Sequence, residues 1–272
     1  MARYQLTLAY DGTDFFGSQR QASTELSPGV KPGGSSLSRL RTVQGELEKA
    51  LTGLGWKGRS VILSGRTDTG VHATGQVVAL DLDWSHSDEE LLHALNSALP
   101  SDMAVRSVKV THPNFHPRFD ARSRCYRYSI FCQKIRDPLR ERFAWRVWPE
   151  LNQTLLAQTA KLFYGTHDFS AFGSPTTPKG TTVRTVAKAE WSQVAKDGWQ
   201  FEVQADAFLY RMVRRLVFIQ VAVAQEKVSA ETIAQVLAKP IPAGKRSGLP
   251  SGLAPAHGLT LVEVGYEESK GQ

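Results

Sequence analysis

The sequence predicts an α+β protein built of two similar halves. Three observations carry that prediction: the order of hydrophobic periodicities up to Val110, a looser return of the same order afterwards, and a length of 272 residues with 41% hydrophobic and 22% charged side chains. At ~100 to 200 residues per domain, such a length fits one large domain or two packed halves, and the composition is that of a globular chain with material for a sizeable core. Wholesale disorder is excluded, and a repeat array is not the expectation. Apolar stretches stay short, since even Leu216 to Ala224 is interrupted by Gln220, well below the ~20 residues of a membrane helix.

Tyr4, Leu6, Leu8 and Tyr10 alternate on one side of a strand spanning Arg3 to Tyr10. From Ala22 to Arg41 the chain holds five serines, three glycines and two prolines and is expected to be a mobile surface loop. Val43, Leu47, Ala50, Leu51 and Leu54 then fall at helical spacing, ended by Gly53 and Gly55. Ser60 to Leu63 and Gly75 to Leu82 are strands flanking the glycine-bounded segment Gly65 to Gly70. A helix opens at Ser87, whose hydroxyl and Glu90 form a capping box, and a strand runs from Met103 to Val110. The resulting order, β-α-β-β-α-β, is the split unit of ferredoxin-like folds. Beyond it, strands are expected at Ala121 to Phe131 and near Phe143 to Trp148, and a helix from Asn152 to Tyr164 that Gly165 ends. Strands at Thr182 to Ser192 and Trp199 to Ala205, helices from Phe208 to about Gln225 and Ala230 to Ala238, and a strand at Leu259 to Tyr266 complete the second half.

The net charge of +7 suggests a polyanionic partner. It is concentrated: eight arginines and Lys134 face only Asp120, Asp137 and Glu141 between Arg118 and Arg146. Arg122, Arg124, Tyr126 and Tyr128 share one strand face, an arrangement suited to stacking a base while gripping phosphates. Arg211, Arg214 and Arg215 form a basic strip beside the apolar stripe of their helix. A solvated basic face, with some arginines merely paired to surface acids, is the plainer reading of the same residues.

Several motifs are eliminated by context. Gly53 to Gly58 matches a dinucleotide fingerprint literally, but it follows a helix and precedes a strand, the reverse of the required order. No Walker lysine loop and no His-Glu-x-x-His pair occurs, the seven histidines are scattered, and Cys125 and Cys132 fit neither a zinc site nor a disulfide framework. No metal and no small-molecule cofactor is therefore expected. The segment Met1 to Leu6 enters a strand without an export signal, so the expectation is a reduced, cytoplasmic protein. Asp68-Thr69-Gly70 resembles an aspartic-peptidase half-site, but such a site needs a second aspartate and proton sharing, which a positive Arg66 two residues away opposes. Gly65-Arg66-Thr67-Asp68-Thr69-Gly70-Val71-His72 is the densest candidate chemistry, although its composition also suits an ordinary turn.

Ordered segments resolve that ambiguity: Tyr10-Asp11-Gly12-Thr13 with Phe16-Gly17 and Gln19-Arg20-Gln21, Thr42 to Glu48, Gly65 to His72, Phe115 to Phe119, Tyr126-Arg127-Tyr128, His167 to Phe172, Met212-Val213-Arg214, and Leu253-Ala254-Pro255 with Gly258-Leu259. On these the chain resembles the TruA-type tRNA pseudouridine synthases along almost its whole length. The resemblance implies the pseudouridine synthase fold, two ferredoxin-like halves with mixed, largely antiparallel sheets flanking a basic cleft, here 1–112 and 113–272. It also implies a homodimer that binds tRNA and isomerises uridine in the anticodon stem-loop, typically at positions 38–40. By position in the motifs, Asp68 corresponds to the catalytic aspartate, Arg66 to the arginine implicated in flipping the target nucleotide, Tyr126 to the active-site tyrosine, and Arg214 to the arginine that pairs with the aspartate. The family usually has an aromatic where Ser18 stands and lacks most of the insertion at 22–41.

The chemistry agrees with the missing cofactor motifs. Isomerisation breaks the bond from C1′ to N1, turns the uracil, joins C1′ to C5 and releases the C5 proton, with no atoms added. Cleaving a glycosidic bond builds positive charge on the sugar, and one ionised carboxylate beside it can stabilise that charge, attack covalently or take a proton. A paired uridine must first be extruded, at a cost of a few kcal/mol. The competing expectation is a catalytically inactive RNA-binding or chaperone protein on the same scaffold.

Overall fold

The computed structural model describes residues 1–20, 40–177, 180–238 and 248–267. The expected loop at 22–41 thus lies, apart from Leu40 and Arg41, outside the described residues. The chain divides into two compact units, Met1–Phe119 and Asp120–Gln272.

In the first unit β1 (Ala2–Tyr10) is central, antiparallel to β3 (His72–Leu82) on one side and to β4 (Met103–Thr111) on the other, while β2 (Ile62–Leu63) pairs with β3. Leu6 sits opposite Val78 and Val108, and this register puts Tyr4, Leu6, Leu8 and Tyr10 into the core. Helices α1 (Val43–Gly53) and α2 (Asp88–Ala98) complete the β-α-β-β-α-β order. The Thr42 hydroxyl accepts from Gly45 N and starts α1, whose Leu47 and Leu51 are fully buried; each contributes ~1.5–3 kcal/mol by leaving water. Gly55, at φ +88°, turns the chain out of α1. The capping box of α2 forms as the sequence predicts: Glu90 N donates to the Ser87 hydroxyl and Ser87 N donates to the Glu90 carboxylate. β3 begins at His72, three residues before the predicted start, because Ala73 pairs with Tyr10 across a register shift in β1.

In the second unit β5 (Ala121–Cys132), β6 (Trp145–Val147), α3 (Gln153–Lys161), β7 (Gly165–Asp168), β8 (Val183–Ala195), β9 (Gly198–Ala205), α4 (Met212–Ala224), α5 (Ala230–Ala238) and β10 (Leu259–Tyr266) follow in order. The sheet runs β10-β5-β9-β8-β7, antiparallel throughout, and β6 adds a short parallel pairing at the end of β5. The sheets are therefore largely antiparallel, as expected.

Two differences from the sequence reading have clear causes. The helix predicted to run to Tyr164 ends at Lys161, with Leu162 as its C-cap, and Gly165, at φ +98°, instead opens β7, a strand of Gly-Thr-His-Asp with no apolar alternation to announce it. The helix predicted from Phe208 starts only at Met212. Tyr210 N donates to Ser174 O in an isolated bridge, and Arg211 adopts a left-handed conformation at φ +62° that no α-helix can include. From Met212 the helix is buried almost all round, with Met212, Val213, Leu216, Val217 and all residues from Ile219 to Ala224 inaccessible, and it packs on α3. Among the described residues no helix is long and apolar enough to cross a membrane.

Candidate active site

Asp68 lies half-buried on the loop joining β2 to β3. Val71 N donates to Asp68 O at 3.1 Å, closing a turn whose third residue, Gly70, takes φ +79°; a residue with a β-carbon is strained there. The loop is fixed at both ends and in the middle. At its start the fully buried Gln76 donates through Nε2 to Gly65 O (3.0 Å) and accepts from the Ser64 hydroxyl (2.7 Å). At its end His72 Nδ1 lies 2.9 Å from Gly12 N and 3.1 Å from Asp11 Oδ1. In the middle, Thr67 N donates to the Ser18 hydroxyl oxygen (2.8 Å), Ser18 N donates to Thr67 O (3.1 Å), and the Thr67 hydroxyl meets the Tyr10 hydroxyl at 2.9 Å. Arg66 is exposed, one residue from this clamp.

Burial raises the Tyr10 phenol to about 12, against the opposing effect of its hydrogen bonds to Thr67 and Gln76. The unfolded chain ionises its tyrosines near pH 10, so between pH 10 and about 12 the folded protein binds the extra proton. Stability that is complete below pH 10 is then lost as the pH rises towards 12, at up to ~1.4 kcal/mol per pH unit for a single tyrosine. Desolvation shifts the buried Tyr128 in the same direction. Urea midpoints measured at pH 9, 10 and 11 are expected to fall across the series, and Tyr10→Phe should flatten part of that fall.

Tyr126 and Arg214 belong to the second unit. β5 presents Tyr126 with its ring edge-on to Phe208, centroids 5.1 Å apart. Tyr128, two residues along the same face, is fully buried, and its hydroxyl donates to Pro255 O at 2.8 Å. A β-carbon at Gly258 would stand 2.6 Å from its ring. The expected aromatic face thus reduces to Tyr126, while Tyr128 is a core residue. Alternation identifies a shared face but says nothing about depth.

α4 positions Arg214, whose Nε donates to Ala254 O at 2.8 Å while Ala254 N donates back to Arg214 O at 3.2 Å. Arg215 donates to Pro250 O and Gly252 O, and Arg211 lies over the Tyr210 ring at 4.7 Å. The basic strip therefore also holds the segment from Pro250 to Ala254 against the helix.

Part of the basic run is locally neutralised: Arg122 pairs with Glu267, Arg127 with Glu202, Arg136 and Arg146 with Glu141, and Arg140 with Asp197. These pairs, exposed at Arg122 and Glu267 and partly buried at Arg127, Arg140 and Arg146, lower the positive charge offered to a polyanion. Among the described residues no group of three or more His, Cys, Asp or Glu side chains is arranged to hold a metal ion.

Of the four site residues anticipated from sequence, Asp68 and Arg66 share one loop of the first unit, and Tyr126 and Arg214 occupy a strand and a helix of the second. Ser18, Tyr10, Gln76 and Phe208 were not anticipated as supports. Two of them carry a sequence signal: Tyr10 opens the motif Tyr10-Asp11-Gly12-Thr13, and Ser18 stands where the resembled family usually has an aromatic.

Comparison with known proteins supplies the family. The pattern of the tRNA pseudouridine synthases matches residues 7–120 and 159–267, which include Arg66, Asp68 and Arg214; Tyr126 falls between the two matched segments. Proteins named tRNA pseudouridine synthase A are similar over nearly the whole chain. The one from Chloroflexus aurantiacus is 37% identical over 98% of this chain and 89% of its own, that from Bacillus subtilis 36% over 97% and 99%, and that from Solidesulfovibrio magneticus 40% over 98% and 92%. A β-α-β-β-α-β unit bearing a pinned aspartate loop, followed by an antiparallel sheet with a basic helix, is thus the form taken here by a chain that belongs to the tRNA pseudouridine synthase family.

Proposed function

We propose that this protein isomerises uridine to pseudouridine in tRNA, in the anticodon stem-loop at positions 38–40, and that it works in the cytoplasm as a homodimer. The observation that carries the reading is the family match across both units, which includes the aspartate loop. The anticodon positions and the homodimer are drawn from the resemblance of the sequence to the TruA-type enzymes. The bacterial tRNA-modifying relatives support the cytoplasm.

In this mechanism the target uridine leaves the helical stack, at a cost of a few kcal/mol, and Arg66 fills the space it vacates. Asp68 acts as an ionised carboxylate beside C1′. As the bond from C1′ to N1 breaks and positive charge grows on the sugar, the carboxylate stabilises that charge or bonds to it. The uracil turns, C5 bonds to C1′, the C5 proton leaves, and N1 ends protonated, so substrate and product have the same atoms. Tyr126 holds the base by stacking, worth ~1–3 kcal/mol. By the resemblance of its motif, Arg214 takes the role of the arginine of opposite charge to Asp68. The surrounding arginines contact phosphates, contributing salt-dependent affinity with little sequence information.

Pseudouridine mapped in tRNA from cells with and without the protein tests this reading. Loss of pseudouridine at positions 38–40 alone is expected; an unchanged map would overturn the activity, and loss elsewhere in tRNA would overturn the anticodon assignment. A binding-only chaperone would likewise leave the map unchanged.

A further inference from the structure

We propose that Ser18 is a positioning residue for Asp68, acting through a three-bond clamp on Thr67 that Tyr10 completes. The inference rests on the proposed role of Asp68.

All three polar groups of Thr67 are tied to residues more than forty positions away in sequence: its N–H to the Ser18 hydroxyl, its carbonyl to the Ser18 N–H, and its hydroxyl to Tyr10. Ser18 is fully buried, Tyr10 is 4% exposed and Thr67 7% exposed, so water does not compete freely for these bonds. The carbonyl carbon of Thr67 is bonded to the amide nitrogen of Asp68. Fixing the Thr67 carbonyl therefore fixes the plane of that peptide, and with it the start of Asp68. Only one backbone torsion and the side-chain torsions then separate the clamp from the carboxylate.

Gly17 makes the approach possible. Its φ of +85° is in the left-handed region, and a β-carbon there would lie 3.0 Å from Thr67 O. Reactions that need a charge held beside a developing cation tolerate little displacement, and a 1 Å error can cost ~10²-fold. A clamp at the residue before the carboxylate is where such an error is most directly prevented. The side chain of Ser18 touches no reacting atom; it acts through Thr67.

Ser18→Ala removes one bond of the clamp and leaves the buried Thr67 N–H without its acceptor. The measurement is tritium release from tRNA labelled at uridine C5, in single turnover with enzyme saturating, together with tRNA affinity and Tm. Tyr10→Phe, which deletes one oxygen, keeps the test open if Ser18→Ala does not fold. Leu95→Ala, in the fully buried face of α2, is the control for stability loss at a residue that supplies none of the clamp's hydrogen bonds. Ser18→Ala is expected to slow the single-turnover rate on the order of 10- to 100-fold with affinity within about twofold of wild type, Tyr10→Phe to slow it less, and Leu95→Ala not at all below its own Tm. A wild-type rate in both Ser18→Ala and Tyr10→Phe, or a slowing matched by Leu95→Ala, would overturn the clamp. Full activity in Asp68→Asn would instead overturn the reading on which the clamp rests.

Discussion

Asp68→Asn is expected to release no tritium above background from tRNA labelled at uridine C5, a loss of about 10⁴-fold or more, while binding tRNA at least as tightly as the wild type. The size of the effect follows from the chemistry. Nothing in the isomerisation is supplied by another molecule, so the group that meets the positive charge on the sugar carries the covalent or electrostatic work, and an amide neither bears that charge nor bonds to C1′ as a carboxylate does. The substitution is nearly isosteric and leaves in place the bonds from Thr67 to Ser18, from Gln76 to Gly65 and from Val71 N to the Asp68 carbonyl, so the loop should survive it. Removing a negative charge near a polyanion favours binding slightly, which separates a chemical defect from a binding defect. Release at the wild-type rate would sink the assignment of Asp68. No release from the wild type, with cellular function unaltered in Asp68→Asn, would favour the binding-only reading instead.

How much of this was legible beforehand depends on how far apart in sequence the interacting groups lie. The capping box at Ser87 and Glu90 spans three residues, and the helical spacing of Val43, Leu47 and Leu51 is equally local; both were readable and both occur. The aspartate loop was visible as a motif, but its support was not, because Ser18 and Thr67 are 49 positions apart and no local rule pairs a serine with a distant peptide. The same distance effect hid the fate of Tyr128. Its strand face was correctly read, but the close passage of Gly258 and the carbonyl of Pro255, 127 positions away, decides that it is core. Arg211 shows the remaining kind of miss. Arginine is a good helix former, and Phe208 to Gln225 reads as one helix until the bridge from Tyr210 to Ser174 forces a left-handed residue into its first turn. Tertiary contact overrode propensity there, at the base of the helix that positions Arg214.

Gly12→Ala is expected to be the most damaging small substitution outside the reacting groups. A β-carbon at position 12 would stand 2.1 Å from Val71 O, 2.5 Å from Val71 C and 3.0 Å from Val71 N. All three are backbone atoms, so no side-chain rotation relieves the clash, and one of the two chains must retreat by about an ångström to restore contact distances. Val71 has little slack. His72 follows it directly into β3, where it lies against Gly12 N, and Gly70 and Asp68 precede it in the closed turn. Overpacking and the weakened contact to His72 together should cost about 2–4 kcal/mol of stability, read from urea denaturation. Displacement of the turn should also slow single-turnover tritium release by up to ~10²-fold in molecules that remain folded. Gly53→Ala provides the contrast: nothing lies within 4 Å of its β-carbon position at the end of α1, and removing a helical glycine should stabilise by up to ~1 kcal/mol. If Gly12→Ala matched the wild type in both stability and rate, the approach of Gly12 to Val71 would be too loose to hold the aspartate turn in place.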